Sequence, residues 1–440
     1  MKTGIKLILV ILALIIAITG IVIAVISVDS DAEITSYPDC RLWVLGNANN
    51  DDYIDENDID YVYKLINSGN TYQYCDELMS DANHDGSINE DDIAYIQGLI
   101  DGTENNLWYV NVDLEICHFV RAQTINVVPI HTPMMETMLI INRSMIVASD
   151  DIVTDTCYNQ FRDVIPDDFP SVGSPWAIDA EKVADLYNIY GELVVVCGTD
   201  DYYSPELESQ IEPLGIQVIR LPSWENGNVV QGLITLSYLL GETDSVSAYV
   251  QWHDRLLDDI ESVVSTIPDE DRVKLIMLYD ASEDSDEVRG PGTGDYENSI
   301  FCGADNLAWH FEDVNVEWYT VPYSTEDIVA LSQNENLQII IMQFNGPYLA
   351  EDGYAEEFYN ACVNRFAPYM DVDVCVFGWD FSLGPSYVIS MLMYAHWMYP
   401  DQFENRIDPL AEYQYYLNTY VGYTTWDVDD MEIWHSYLDE

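Results

Sequence analysis

Lysine and arginine are scarce in this chain. Fifteen basic side chains stand against 78 acidic ones in 440 residues, a formal net charge of −63. A nucleic-acid partner is excluded on that ground, because holding a phosphate backbone takes a basic surface. CxxC pairs, zinc-ligand spacings and HxxxH pairs are missing, so nothing signals a zinc or bare-metal centre. GxSxG, HExxH, a Walker loop and a helix-opening GxGxxG are missing too, and "GPGTGD" (290–295) lacks the Lys-Ser/Thr that would follow in a phosphate loop. Disorder is excluded by what is abundant: 48% hydrophobic residues, 32 tyrosines and 11 tryptophans. The acid surplus fits solubility outside the cell and sets up a field that attracts cations.

One stretch has no charge at all. Leu7 to Val28 runs for 22 residues, preceded by Lys2 and Lys6 and followed by "DSDAE". At about 1.5 Å per helical residue it spans a hydrocarbon core of about 30 Å. The flanking charges keep the N-terminus in the cytoplasm and put the rest outside. With no clean small-x-small cleavage site, the segment (residues 1–30) reads as a retained transmembrane anchor rather than a removed signal. The localisation expected is the cell membrane, with the remainder extracellular. Eight cysteines fit an exported chain without dictating a pairing, and Cys40 and Cys75 are placed to clamp the region that follows.

That region repeats. "NANNDDYIDEND" (47–58) and "DANHDGSINEDD" (81–92) align position by position. Asn47, Asn49, Asp51, Asp55 and Asp58 answer Asp81, Asn83, Asp85, Asn89 and Asp92, with Tyr53 and Ser87 offering backbone carbonyls at position seven. A hard cation wants six or seven oxygens, and a tight loop supplies them at alternate positions. The cofactor expected is Ca2+. Each loop runs into an amphipathic segment, where Ile59, Val62, Leu65 and Ile66 match Ile93, Ile96, Leu99 and Ile100. A loop-helix duplication without entering helices resembles a dockerin module, here about residues 43–103. That resemblance implies docking to a cohesin-like protein. The partner-choosing positions, Glu56–Asn57 and Glu90–Asp91, are not the small hydroxyl pair of many dockerins.

From about Trp108 strand-length apolar runs recur: "LVVVC" (193–197), "IQVIRL" (216–221), "VKLIMLY" (273–279), "VEWYTV" (316–321), "LQIIIMQF" (337–344) and "VDVCVFG" (372–378). Helical stretches separate them, the pattern of an α/β fold with mainly parallel sheets. Residues 245–267 keep Val246, Tyr249, Val250, Leu256, Leu257, Ile260, Val263, Val264 and Ile267 on one face, and Pro268 stops the helix. A long helix between two groups of strands reads as a rigid spacer between lobe 1 (about 108–244) and lobe 2 (about 271–440).

Residues 108–440 resemble class III substrate-binding proteins of ABC importers, the type serving ferric siderophores, haem and cobalamin. Five stretches carry the resemblance in order: "VGSPWAIDAEKVADL" (172–186), "PLGIQVIRLP" (213–222), "LLGETDSVSAYVQWHDRLLDDI" (239–260), "FCGADNLAW" (301–309) and "AHWMYPDQF" (395–403). The resemblance implies a permease and ATPase as partners, met through a glutamate on each lobe. By motif position these are Glu181 and, since the second expected position falls on Ile300, the nearby Glu297. Cleft residues should follow strands. Trp176, Tyr202, Tyr203, Trp379 and Phe381 are candidates to stack on a flat ligand, Arg289 to meet an anionic one, and His131 to ligate a metal centre. The function expected is capture of an iron complex or corrinoid, without catalysis. The alternative is a dockerin-bearing extracellular enzyme acting on polysaccharide, since acidic pairs suited to two-carboxylate hydrolysis are plentiful.

Overall fold

The computed structural model describes residues 26–27, 34, 36–68, 77–154, 161, 164–166, 168–200, 202–224, 228–282, 285–311, 322–344, 354–378, 382–423, 427–428 and 434–439. Nearly all of the apolar run Leu7–Val28 lies outside them. Ile26 and Ser27 pair antiparallel with Ile88 and Ser87. Among the described residues no helix is long and apolar enough to cross a membrane.

The duplicated loops lead into α1 (Glu56–Ser68) and α2 (Glu90–Ile100). The two helices pack on each other through buried Val62, Leu65, Ile66 and Ile96, together with Ala48, Ala82 and Ile88. Asn89 and Asp92 form a reciprocal capping box at the head of α2, satisfying N–H groups that the first helical turn leaves open. This pair of helices is not a free-standing unit. Leu42, Trp43, Val44 and Leu45, just before the first loop, are completely buried. They run along the edge of a hairpin, β1 (Asn106–Val110) and β2 (Ile116–Val120). Leu45 N–H donates to Trp108 O at 2.8 Å, and Val110 N–H donates to Trp43 O at 2.9 Å. Trp43 N–H reaches Thr235 Oγ1 at 2.9 Å, inside lobe 1. Four apolar side chains in a row must be buried, and the hairpin supplies both a surface and backbone partners.

Lobe 1 continues with β3 (Asn126–Pro129), α3 (Thr132–Asn142), α4 (Ala180–Tyr190), β4 (Leu193–Cys197), β5 (Gln217–Arg220) and α5 (Val229–Leu240). The three strands form a parallel sheet in the order β3-β4-β5. Then comes α6 (Thr243–Val264), 22 residues, close to the span expected from periodicity. At about 1.5 Å per residue it is about 33 Å long. Trp252 and His253 are buried on it alongside the expected Val246, Tyr249, Leu256, Ile260, Val263 and Val264.

Lobe 2 holds β6 (Lys274–Ser282), β7 (Ser285–Val288), α7 (Gly294–Phe301), β8 (Pro322–Ser324), α8 (Thr325–Glu335), β9 (Ile339–Phe344), α9 (Tyr354–Phe366), β10 (Asp373–Gly378), α10 (Tyr387–Met398), α11 (Pro409–Tyr416) and β11 (Trp434–Ser436). Its sheet runs β8-β7-β6-β9-β10-β11. The central β6, β9 and β10 pair in parallel, whereas β7 and β11 join antiparallel. The fold is therefore two α/β lobes flanking one long helix. The expected strand run 316–321 lies outside the described residues.

Candidate functional site

Three of lobe 1's loops leave the carboxyl ends of its parallel strands. His131 follows β3 and heads α3. Its φ of 74° lies in the left-handed region, where a non-glycine residue is strained. The buried Asp150 carboxylate accepts its backbone N–H and so holds that turn. His131 is itself 6% exposed, and burial pushes its imidazole down to about 4, leaving the ring neutral at neutral pH.

The loop after β4 places Tyr202 and Tyr203. Tyr203 is buried, with its ring 5.6 Å from that of His131. Tyr202 stands edge-on to two tryptophans, Trp176 at 6.3 Å and Trp224 at 6.0 Å between ring centroids. Trp176 is 47% exposed on the turn before α4. Trp224 comes from the loop after β5, and its indole N–H donates to Tyr203 Oη at 2.8 Å. Gly232 makes that loop possible: a Cβ there would sit 1.9 Å from Pro222 O, so only glycine lets α5 press against the turn that carries Trp224. The structure thus gathers His131, Trp176, Tyr202 and Tyr203, and adds Trp224. The same strand-end rule that selected the others applies to Trp224, one loop further along the chain.

Lobe 2 presents a polar network. Arg289 Nε donates to Gln343 Oε1 at 2.9 Å, and the guanidinium lies 3.6 Å from Asp295 Oδ2 and 4.9 Å over the Tyr279 ring. Gln343 Nε2 donates to Asp295 at 2.8 Å and to Ser382 Oγ at 3.3 Å. Burial pushes the Asp295 carboxyl up, and the Arg289 charge opposes that. Arg289 was expected to wait for an anionic ligand. In the structure its charge is matched inside the lobe, because a largely covered guanidinium needs a counter-charge. Trp379 and Phe381 lie outside the described residues.

The two faces meet. Gly384, at φ +63°, comes so close to lobe 1 that a Cβ would sit 3.0 Å from Pro133 Cα, two residues past His131. Tyr249 of α6 donates to Pro385 O at 2.8 Å, and His253 of α6 lies 2.9 Å from Tyr387 Oη. Residues 384–387 are therefore fixed both to the long helix and to the head of α3. Glu181 and Glu297 sit elsewhere. Each is exposed in the first turn of a helix, α4 and α7, one per lobe.

The duplicated loops share a geometry. Asp58 accepts from Asn49 N at 3.1 Å and Asp55 N at 2.8 Å. Asp92 accepts from Asn83 N at 3.3 Å and Asn89 N at 2.8 Å, the matching positions. Asp81 accepts from Asp85 N and Gly86 N, Asn83 from Asp85 N, and Asn49 from Asp51 N. Tyr53 is 63% exposed, so the backbone is its usable group. Burial pushes the Asp58 and Asp92 carboxyls up to about 6. Asn47 at position one is buried; its Nδ2 donates to Leu42 O and Asp51 O, while its Oδ1 has no partner. An orphaned buried carbonyl oxygen among acidic side chains fits a hard cation. Among the described residues no three His, Cys, Asp or Glu side chains form a ready-made metal cluster, since the carboxylates are turned to the loops' own N–H groups. Arg41 ties the first loop to α6, pairing with Asp52 and, at 2.8 Å, with Asp254. Cys40 is buried near this junction, and Cys75 lies outside the described residues.

No protein-family model matches the chain, and no curated protein matches it in sequence. Solved structures do match in fold. A TroA-like periplasmic binding protein, FepB, from Veillonella parvula superposes with a TM-score of 0.57 at 14% identity, over 75% of this chain and 99% of that one. An ABC transporter solute-binding protein from Sulfurospirillum deleyianum gives 0.55 at 13%, over 73% and 97%. The molybdate periplasmic binding protein MolA of Haemophilus influenzae gives 0.53 at 13%, over 71% and 97%. The architecture is that of two-lobed periplasmic binding proteins, and these three neighbours are binding proteins by name rather than enzymes.

Proposed function

We propose that this chain is the extracytoplasmic substrate-binding component of an ABC importer and captures an iron complex or corrinoid: a ferric siderophore, haem or cobalamin. One observation carries the reading. The loop after β10 of lobe 2 meets the head of α3 of lobe 1 beside the long helix, with rings gathered at the strand ends of lobe 1 and a polar network in lobe 2. Trp176, Tyr202 and Trp224 offer aromatic surface to a flat ligand, which is how such sites gain affinity with few polar contacts. The neutral imidazole of His131 is suited to a metal centre. Trp379 and Phe381, outside the described residues, follow β10 in the chain and are proposed as further stacking partners.

Glu181 and Glu297, exposed one per lobe, are the acidic contacts proposed for arginines of a permease, which an ATPase would drive. The run Leu7–Val28 is the proposed membrane anchor. The duplicated loops are proposed to hold Ca2+. Once loaded, they would stiffen the junction between the anchor and lobe 1. A cohesin-like partner is proposed for the outer faces of α1 and α2.

The test is direct. The full chain is isolated from its native cells, and the bound small molecule is read by mass spectrometry and visible absorption. A porphyrin or corrinoid band, or iron with a chelator mass, is expected. A chain that carries none of these and cleaves polysaccharide overturns the proposal.

A further inference from the structure

The duplicated loops part company at position six. The second loop has Gly86 there, at φ +82°. The first has Asp52, whose carboxylate accepts from Arg41 Nε at 3.0 Å and from Arg41 Nη2. The remaining nitrogen of that guanidinium, Nη1, donates to both oxygens of Asp254 on α6, at 2.8 and 2.9 Å. The contacts continue across the helix. Asp254 Oδ1 lies 3.2 Å from Nδ1 of the buried His253, whose Nε2 lies 2.9 Å from Tyr387 Oη. Tyr387 donates its backbone N–H to Gly384 O, and Gly384 is the residue that closes on Pro133 at the head of α3. An unbroken line of polar contacts therefore runs from the first loop, over the long helix, to the contact between the lobes.

The first loop grips Arg41 from two sides. Position six holds its guanidinium. Position one holds the backbone beside it, because Asn47 Nδ2 donates to Leu42 O at 3.0 Å and to Asp51 O at 2.7 Å. Asn47 is fully buried and its Oδ1 has no partner, so that oxygen suits a hard cation. Asp51, Asp52, Asp55 and Asp58 crowd the same loop, and their repulsion loosens it until a cation offsets their charge. Ordering the loop orders Arg41 and Leu42, and a guanidinium held still anchors Asp254 more firmly. On the Ca2+ reading above, we infer that the first loop is a regulatory cation site: filled, it stiffens residues 384–387 of lobe 2 through Arg41, Asp254 and His253. The second loop, with glycine at position six, acts only on the helix pair that contains it.

Backbone hydrogen exchange on the full chain in nanodiscs tests this, with Ca2+ or EDTA as the sole difference between samples. Ca2+ should slow exchange in peptides covering residues 384–390 at least about fivefold, the lower end of usual coupling between two sites. The slowing should survive Asp92→Ala, which damages the second loop. It should vanish in Asp58→Ala, which damages the first. It should vanish also in Asp52→Gly, which gives the first loop the second loop's residue at position six and cuts the link to Arg41. Coupling is reciprocal, so Asp254→Asn on the Asp92→Ala background should weaken Ca2+ binding by a similar factor in calorimetry. Exchange within residues 47–58 shows whether each variant still takes Ca2+ there, and a melting curve shows that it is folded.

Slowing confined to residues 36–103 overturns the inference and leaves the Ca2+ reading standing. Slowing at 384–390 that persists in Asp52→Gly also overturns it, since the effect then travels by another route, such as the buried edge Leu42 to Leu45. Slowing that Asp92→Ala removes and Asp58→Ala spares hands control to the second loop and overturns it as well. An unchanged Ca2+ affinity in Asp254→Asn does the same. Absence of any slowing, with no heat of Ca2+ binding, removes the Ca2+ reading itself, and the inference with it.

Discussion

The strand-end loops of lobe 1 bring together the rings of Trp176, Tyr202, Tyr203 and Trp224, whereas lobe 2 bonds Arg289, Asp295, Gln343 and Ser382 to one another. The difference teaches how the labour divides. Trp176 meets Tyr202 edge-on and is 47% exposed, so lobe 1 can give that ring to a ligand at little cost to its own contacts. The polar groups of lobe 2 satisfy each other, so a ligand that disturbs them must replace what it breaks. Affinity should therefore depend on lobe 1, and the integrity of the fold on lobe 2.

The largest effect should come from breaking the lobe 2 network. Arg289→Met leaves Asp295 buried without its counter-charge, and a loss of about 3 kcal/mol of stability is expected, read by denaturant unfolding. If that variant instead weakens ligand binding at unchanged stability, Arg289 belongs to the ligand and the contrast between the lobes fails.

Calcium removal acts outside both lobes. A ligand at about 100 times its dissociation constant adds about 2.7 kcal/mol to the state that binds it. EDTA should lower the melting temperature accordingly, and Asp58→Ala with Asp92→Ala should abolish the difference. Because Leu42 to Leu45 are buried with lobe 1, the shift should appear in the lobe 1 transition rather than in a separate one. A melting curve indifferent to EDTA would remove the calcium assignment.

Acid should loosen lobe 1 through His131. Its imidazole titrates at about 4 in the fold against 6.5 ordinarily, so it folds neutral and must gain a proton to unfold in acid. Stability from this group is complete above pH 6.5 and is lost as pH falls towards 4. The loss is on the order of 1–3 kcal/mol. His131→Phe should flatten that part of a plot of stability against pH; an unchanged slope would show that the ring is not held neutral.

A smaller change sharpens the affinity side. Trp176→Ala, at a ring 47% exposed, should weaken ligand binding by about 1–2 kcal/mol while leaving unfolding nearly as before. The smallest effect in vitro belongs to Glu181→Ala. It should leave affinity unchanged and slow uptake in cells, since the side chain is exposed in the first turn of α4. Loss of affinity in that variant would place Glu181 on the wrong surface.

Much of this was legible locally. The strand 193–197 was read to the residue, because five consecutive buried apolar positions leave little choice. The long helix was found within three residues at each end, since its buried face repeats with helical period. The loop-helix pairs follow from spacing alone. What escaped was non-local. Trp43 pairs with Val110, and Arg41 with Asp254, across gaps that carry no periodic signal. The hairpin of β1 and β2 went unread because its strands are short and half exposed.

Composition, period and spacing are properties of neighbours in the chain, and they determined the acid surplus, the duplicated loops, the strands β4, β5, β6, β9 and β10 and the helix between the lobes. They could also nominate His131, Trp176, Tyr202, Tyr203 and Arg289 by their place after strands. Only the tertiary structure decided that four of these share one wall with Trp224, and that Arg289 spends its charge on Asp295 and Gln343. A side chain's partner is set by which strand ends packing brings together, and Gln343 lies 54 positions from Arg289 along the chain. The energy of burying a charge is settled by that partner and not by the sequence around it.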